Sequence, residues 1–302
     1  MKPFHVAVIT KNSAVNFLRE GRNSGYWSYP VPEFSWDHVV LGKHGWTCDL
    51  ENMKQKGYDL ILHEDGGNWG TYTNKGALPL VFFSVDDTLS PQHLKDRRTI
   101  AAQADLVLLD HSPTHNFADL DRPTRRLNYC VNDQVFCPVP EKTFDVAFHC
   151  AAGARQGEPG AKERIRVRQL LHSICGRHGW SYRSGVLGLP DYARSLAEAR
   201  VVVNVPRTDT NRPWRVFDTM ACRSCLLTAP VPHVKGDGIR EGEHYVTFHD
   251  DRQLEKLLEY LLDDGGGLEE IAASAYNHVM ANHTWAIRAA QFRTTLAEVF
   301  GL

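Results

Sequence analysis

Short apolar runs alternate with amphipathic stretches along most of the chain, and this rhythm predicts an α/β protein. In the first half "HVAVIT" (5–10), "YDLILHED" (58–65), "LPLVFFSVDD" (78–87) and "ADLVLLDH" (104–111) are continuous apolar runs bounded by polar residues. Runs of that kind suit strands covered on both faces. Between the last two, "SPQHLKDRRTIAAQA" reads as a helix, with Ser90 at its cap and Pro91 at its first position. Strand, helix and strand at this spacing predict a parallel sheet.

The pattern loosens after Asp110, through a stretch rich in proline and polar residues, and an inter-domain connection is expected near residues 130–142. A second alternation then begins. "FDVAFHC" (144–150) reads as a strand, followed by the Gly-rich "AAGARQGEPGAKE" and the helix "RIRVRQLLHSICGRHG", which ends at a glycine. "WSYRSGVLG" gives a strand and loop, "LPDYARSLAEA" a helix, and "RVVVNVP" (200–206) a very apolar strand. Helix, strand and helix follow, with apolar positions 254, 257, 258, 261 and 262 marking one amphipathic face. Two closing helices are expected at 268–282 and 284–299.

Two successive α/β halves predict two Rossmann-like domains with parallel sheets facing across a cleft. The expected division is residues 1–140, residues 141–283, and a C-terminal helix over 284–302 that crosses back to the first domain. The polar-aromatic stretch 12–34 is long for a strand-to-helix connection, which is a common property of functional loops.

Composition narrows the classes. Of 302 residues, 42% are hydrophobic and 23% charged, the balance of a globular enzyme, and the formal net charge of −2 argues against affinity built on neutralising many phosphates. With no run of 18 apolar residues, no signal-peptide layout at the start, and seven cysteines without disulfide-like density, a cytoplasmic protein with reduced thiols is expected. "CRSC" (222–225) has C-x-x-C spacing, but there is no second ligand pair for zinc. Two small buried residues are the simpler expectation.

Ligands of open α/β sheets sit beyond the carboxyl ends of the strands. The polar residues there are His63, Glu64, Asp65, Asp86, Asp87, Asp110 and His111 in the first half, and His149, Asn204 and Asp218 in the second. An acid after a strand is often only a helix cap, worth about 1 kcal/mol. The second half carries more: glycines, Arg155 and Lys162 stand before a helix N-terminus, where free N–H groups and basic side chains favour a phosphate or diphosphate. Arg212, Arg215 and Asp218 on a neighbouring connection add more basic groups and a carboxylate able to accept two ribose hydroxyls.

"RVFDTMACRSCLLT", "EGEHYVTFHDDRQLEKLLEYLL" and "IAASAYNHVMANHTWAIR" together resemble the C-terminal half of group 1 glycosyltransferases, in the branch named after a spore-maturation protein (CgeB-type). The resemblance implies a GT-B fold and a nucleoside-diphosphate-sugar donor held mainly by the second domain. It also implies no cofactor and no metal. By position Asp218 stands for the ribose-binding Glu and Arg215 for the motif arginine near the phosphates, with Arg212, Arg155, Lys162 and Asn204 as further donor contacts. Asp86, Asp87, His63 and His111 are candidates for a base or for acceptor contacts on the first domain. Sugar transfer with retention is expected. The acceptor is open: a glycan, a lipid-linked intermediate, a small molecule, a protein or modified nucleic acid. The pattern is broken by Thr210, where the family has an acid, and by Arg223, where it has a glycine. Those departures keep two alternatives in view, a non-catalytic nucleotide-sugar-binding protein and a nucleotide-sugar epimerase.

Overall fold

A computed structural model describes residues 3–10, 31–41, 44–64, 69–84, 91–110, 114–150, 160–207, 213–231, 234–263 and 267–302. The chain forms two compact units, Met1–Tyr129 with Trp285–Leu302, and Cys130–Thr284.

The first unit contains β1 (Phe4–Thr10), β2 (Phe34–Val40), β3 (His44–Asp49), α1 (Leu50–Gln55), β4 (Leu60–Glu64) and β5 (Trp69–Thr73), then β6 (Leu80–Ser84), α2 (Pro91–Ala101), β7 (Leu106–Leu109) and β8 (Thr124–Arg126). Six strands form one sheet in the order β2-β1-β4-β6-β7-β8, and every pair in it is parallel. Its centre is made by the four apolar runs of the first half. Leu60, Ile61 and Leu62, like Leu106 to Leu109, expose nothing, as strands covered on both faces require.

β2 has a different character. "FSWDHVV" alternates apolar and polar residues and pairs with β1 at one edge. β3 and β5 form a separate two-stranded parallel sheet whose Trp46 and Tyr72 pack into the core of the unit. None of these three strands is a continuous apolar run; β2 instead carries the alternation of a half-buried strand.

The second unit contains β9 (Phe144–His149), α3 (Ala161–His178), β10 (Tyr182–Gly185), α4 (Leu189–Glu198), β11 (Ala199–Asn204), α5 (Arg215–Ala221), β12 (Cys225–Thr228), β13 (Val246–Thr247), α6 (Asp251–Leu262) and α7 (Leu268–Asn282). Its five strands run parallel in the order β10-β9-β11-β12-β13. β9 and β11 are almost wholly buried, and α3 and α6 lay Val167, Leu171, Leu254, Leu258 and Leu261 on the same core. α3 stops where the sequence places a glycine: Gly179 takes the left-handed conformation, and the next amide, Trp180 N–H, bonds the Cys175 carbonyl. Lys142 reaches beneath this sheet, its ammonium donating to the Ala197 and Cys222 carbonyls and to Ser224 Oγ at 2.7, 3.0 and 2.7 Å. One cation thereby satisfies backbone at the ends of both α4 and α5.

α8 (Trp285–Phe300) returns to the first unit. Trp285, Ala289, Phe292 and Leu296 recur at helical spacing and are buried. Phe292 stacks on Phe34 at 5.3 Å, Trp285 lies 5.8 Å from Trp36, and Arg288 donates to the Tyr129 carbonyl at 3.0 Å. The apolar face of β2 is therefore covered by a helix about 250 positions away along the chain.

The C-terminus of α5 explains "CRSC". Arg223 N–H bonds the Met220 carbonyl and Ser224 N–H the Thr219 carbonyl, the two bonds of a Schellman motif, with Arg223 at φ +52° in the left-handed position. A side chain at such a position costs about 1 kcal/mol relative to glycine. Arg223→Gly should therefore raise unfolding free energy by about 1 kcal/mol in urea denaturation. A neutral or destabilising substitution would mean that the arginine side chain repays the backbone strain.

Candidate functional site

Four neighbouring strands of the second unit end on His149, Gly185, Asn204 and Thr228, and hydrogen bonds join these ends in pairs. Asn204 Nδ2 donates to Thr228 Oγ1 at 2.9 Å, and Arg215 Nη1, from the first turn of α5, donates to Asn204 Oδ1 at 2.7 Å. The Tyr192 hydroxyl of α4 is close enough to influence, and be influenced by, both the Arg215 guanidinium and the Asp218 carboxyl. Asp218, Tyr192, Arg215 and Asn204 thus form one polar cluster at the end of β11. Arg215 Nε is buried without a hydrogen-bond partner among the described residues.

His149 borders the same group, its ring 6.0 Å from that of Tyr192 and edge-on to it. Its Nδ1 lies 3.3 Å from the Gly185 carbonyl and its Nε2 2.7 Å from Ser195 Oγ. A carbonyl can only accept, so Nδ1 carries the proton and Nε2 accepts from the serine. Burial and then the nearby Arg215 push this imidazole down to about 4, so it stays neutral at ordinary pH. The His149–Ser195 pair is one wall of a cavity of about 620 Å3, whose lining also includes Arg183, Leu187, Asp191 and Arg194.

The start of α3 meets the end of β11. Gly160 is left-handed, and a Cβ on it would sit 2.4 Å from the Arg207 carbonyl oxygen, so only glycine allows this approach. Arg164 Nε donates to the Val205 carbonyl at 3.0 Å and fixes the contact from one turn further on. Among the described residues no side chain caps the helix, which carries the positive end of its dipole here. Lys162 is exposed at this helix start.

Of the donor-side residues singled out by the sequence, Arg215 and Asn204 are joined by a direct bond, Asp218 lies near enough to Arg215 to feel its charge, and Lys162 stands on the helix that abuts the same strand end. Arg155 and Arg212 lie outside the described residues, as do Asp86, Asp87 and His111. His63 is 1% exposed, with Nδ1 2.9 Å from the Tyr72 hydroxyl and its ring among Trp46, Tyr72 and Phe82. Asp110 is also buried and accepts from Tyr129 N–H at 2.6 Å, which ties β7 to the chain beyond β8. Cys222 and Cys225 are both buried and free, and burial pushes both thiols up, Cys225 to about 12, so neither is poised for redox or metal chemistry.

Tyr192 is the participant that sequence reading passed over. It occupies the Leu189, Ala193, Leu196 face of α4, where an aromatic residue reads as packing. A phenol on a buried face must find a partner for its hydroxyl, and that requirement was the available signal.

Among solved structures, the chain is similar to sucrose-phosphate synthase from Thermosynechococcus elongatus, with 13% identity over 99% of each chain and a TM-score of 0.61. It is similar to Anabaena HepE, solved in complex with UDP-glucose, with 12% identity over 97% of this chain and 99% of that one and a TM-score of 0.60. A glycosyltransferase from Rickettsia africae gives 8% identity over 99% of each chain and a TM-score of 0.61. No curated protein matches. No helix among the described residues is long and apolar enough to cross a membrane.

Asp218 is 5% exposed, and burial pushes its carboxyl up to about 8 against the opposing pull of Arg215 and the Tyr192 hydroxyl. The folded chain then holds a proton that the unfolded chain releases, so stability falls as pH climbs from 3.8 to about 8. Asp218→Asn keeps the shape and removes the titration. Its stability should gain on the wild type by at least about 1 kcal/mol between about pH 5 and about pH 8 in urea denaturation. An unchanged difference at the two pH values would show that the carboxyl is not raised.

At these identities the likeness establishes fold: the chain has the α/β, parallel-sheet GT-B fold, and its residues 155–294 match the glycosyl transferase-like family.

Proposed function

We propose that the chain is a glycosyltransferase of the spore-maturation branch that moves a sugar from a nucleoside-diphosphate sugar to an acceptor, with retention and without a metal in the reaction. The observation that carries this reading is the approach of the α3 start to Val205 and Arg207, just beyond the β11 end where Arg215 bonds Asn204, in the segment that matches the glycosyl transferase-like family. The α3 amides, Lys162, Arg155, Arg212 and Arg215 hold the diphosphate. They stabilise the charge that grows on it as the sugar departs, which is where preorganised donors contribute most. Anabaena HepE was solved with UDP, with UDP-glucose and with UDP and glucose, which makes a uridine nucleotide the first donor to try.

Asp218 is assigned to the ribose. Its 5% exposure means that a ribose hydroxyl takes the place now held by Tyr192. The cavity beside His149 and Ser195, whose His149 ring lies edge-on to Tyr192, receives the base. On the first unit Asp86, Asp87 and His111 are left to meet the acceptor, because His63 is sealed among aromatic rings. In retention the departing phosphate takes the acceptor proton and no strong protein base is needed. The reading places the protein in the cytoplasm.

The burial of Asp218, and a threonine at position 210 where the resembled pattern has an acid, favour a second reading, a binding protein that holds the donor without turnover. Turnover of UDP-, GDP-, ADP- and dTDP-sugars separates the two. We expect slow hydrolysis of one donor in the absence of acceptor, and calorimetric affinity for its nucleoside diphosphate weakened at least about tenfold by Arg215→Ala, equivalent to about 1.4 kcal/mol. Binding without hydrolysis of any donor supports the binding protein. Nucleotide affinity unchanged by Arg215→Ala contradicts the site itself.

A further inference from the structure

The far end of α3 carries a cluster that the nucleotide site does not use. His178 is the last residue of α3, and Glu255 and Glu259 are one turn apart on α6. His178 Nε2 lies 3.1 Å from Glu255 Oε1 and 3.4 Å from Glu259 Oε1, and the three ligand atoms fall within 4.8 Å of one another. Bonds of about 2.0–2.1 Å from a tetrahedral zinc to nitrogen and oxygen span ligand–ligand edges of about 3.3–3.4 Å, so the two separations from the imidazole suit a shared ion, which would draw the two carboxylates together. The imidazole is held for the purpose: it stacks on Trp180 with centroids 4.4 Å apart and planes 13° apart.

We propose that His178, Glu255 and Glu259 form a binding site for a divalent transition-metal ion of the zinc class, which ties the end of α3 to α6. One neutral imidazole and two carboxylates balance a charge of +2 and leave a fourth position for water. Arg177 Nη2 holds Glu255 Oε1 at 2.6 Å and orients that carboxylate as an outer-shell partner; a carboxylate oxygen has a second lone pair for the metal. The side chains are 28%, 30% and 43% exposed, so an ion has direct access from solvent. With α3 18 residues long, the site lies about 25 Å from the helix start that faces the donor, and its role is to brace α3 rather than to take part in transfer.

An ion-pair cluster and a metal site respond oppositely to pH. Acid strengthens a histidine–carboxylate ion pair, whereas a metal must displace the imidazole proton and is lost in acid. The test uses metal-free full-length chain titrated calorimetrically with zinc chloride at about pH 7.5 and about pH 5.5. We expect one ion per chain with micromolar affinity at the higher pH, at least about tenfold weaker binding at the lower, and a rise in melting temperature with zinc. His178→Ala, at an exposed position, and Glu259→Gln, at a half-buried one, should each weaken binding at least tenfold while leaving the metal-free melting temperature nearly unchanged. Cobalt(II) should give a tetrahedral visible spectrum with the wild type and not with His178→Ala. Absence of zinc binding, or equal binding by His178→Ala, overturns the proposal.

Discussion

A parallel sheet covered on both faces leaves little room for polar chemistry except at its strand ends, and that constraint organises the second unit. Between Val201 and Val203 the chain exposes nothing; one residue later Asn204 begins a polar network through Arg215, Tyr192 and Asp218. The same strand end receives the α3 terminus, and the approach succeeds because Gly160 has no Cβ to strike the Arg207 backbone. Core burial and a glycine thus bring the start of α3, with the positive end of its dipole, beside the end of β11.

What the sequence makes legible follows from how each element is covered. The central strands read directly, because continuous apolar runs mean burial on both faces. β2 is not among the strands expected from continuous apolar runs, because it is half-buried: it alternates, and the face carrying Phe34 and Trp36 is covered by α8 from the far end of the chain. β3 and β5 depend in the same way on a non-local pairing between short polar-aromatic segments. Glycine signals read well where they end a helix, as at Gly179. The close contact of Gly160 with Arg207 involves residues 47 apart in sequence and leaves no local trace.

The candidate site was legible in its residue types more than in its wiring. Asp218, Arg215 and Asn204 stood out as polar residues beside apolar runs, and they meet in space. Tyr192 did not stand out, although it lies close to both the acid and the guanidinium. Of the three departures from the resembled pattern, at Thr210, Asp218 and Arg223, the last two have separate physical meanings. Arg223 occupies a left-handed helix end where glycine is easier, a cost in stability with no bearing on the ligand. Asp218 is shorter than the glutamate it replaces and lies turned into the protein, so its task depends on a ligand reaching it.

The central claim is that the end of β11 and the start of α3 together hold a diphosphate. A crystal structure of the chain soaked with a nucleoside diphosphate tests it most directly. The account predicts phosphate oxygens within hydrogen-bond distance of the first α3 amides and of Arg215, with the ribose at Asp218. Nucleotide bound elsewhere, or phosphates that leave both the α3 amides and Arg215 untouched, would contradict it.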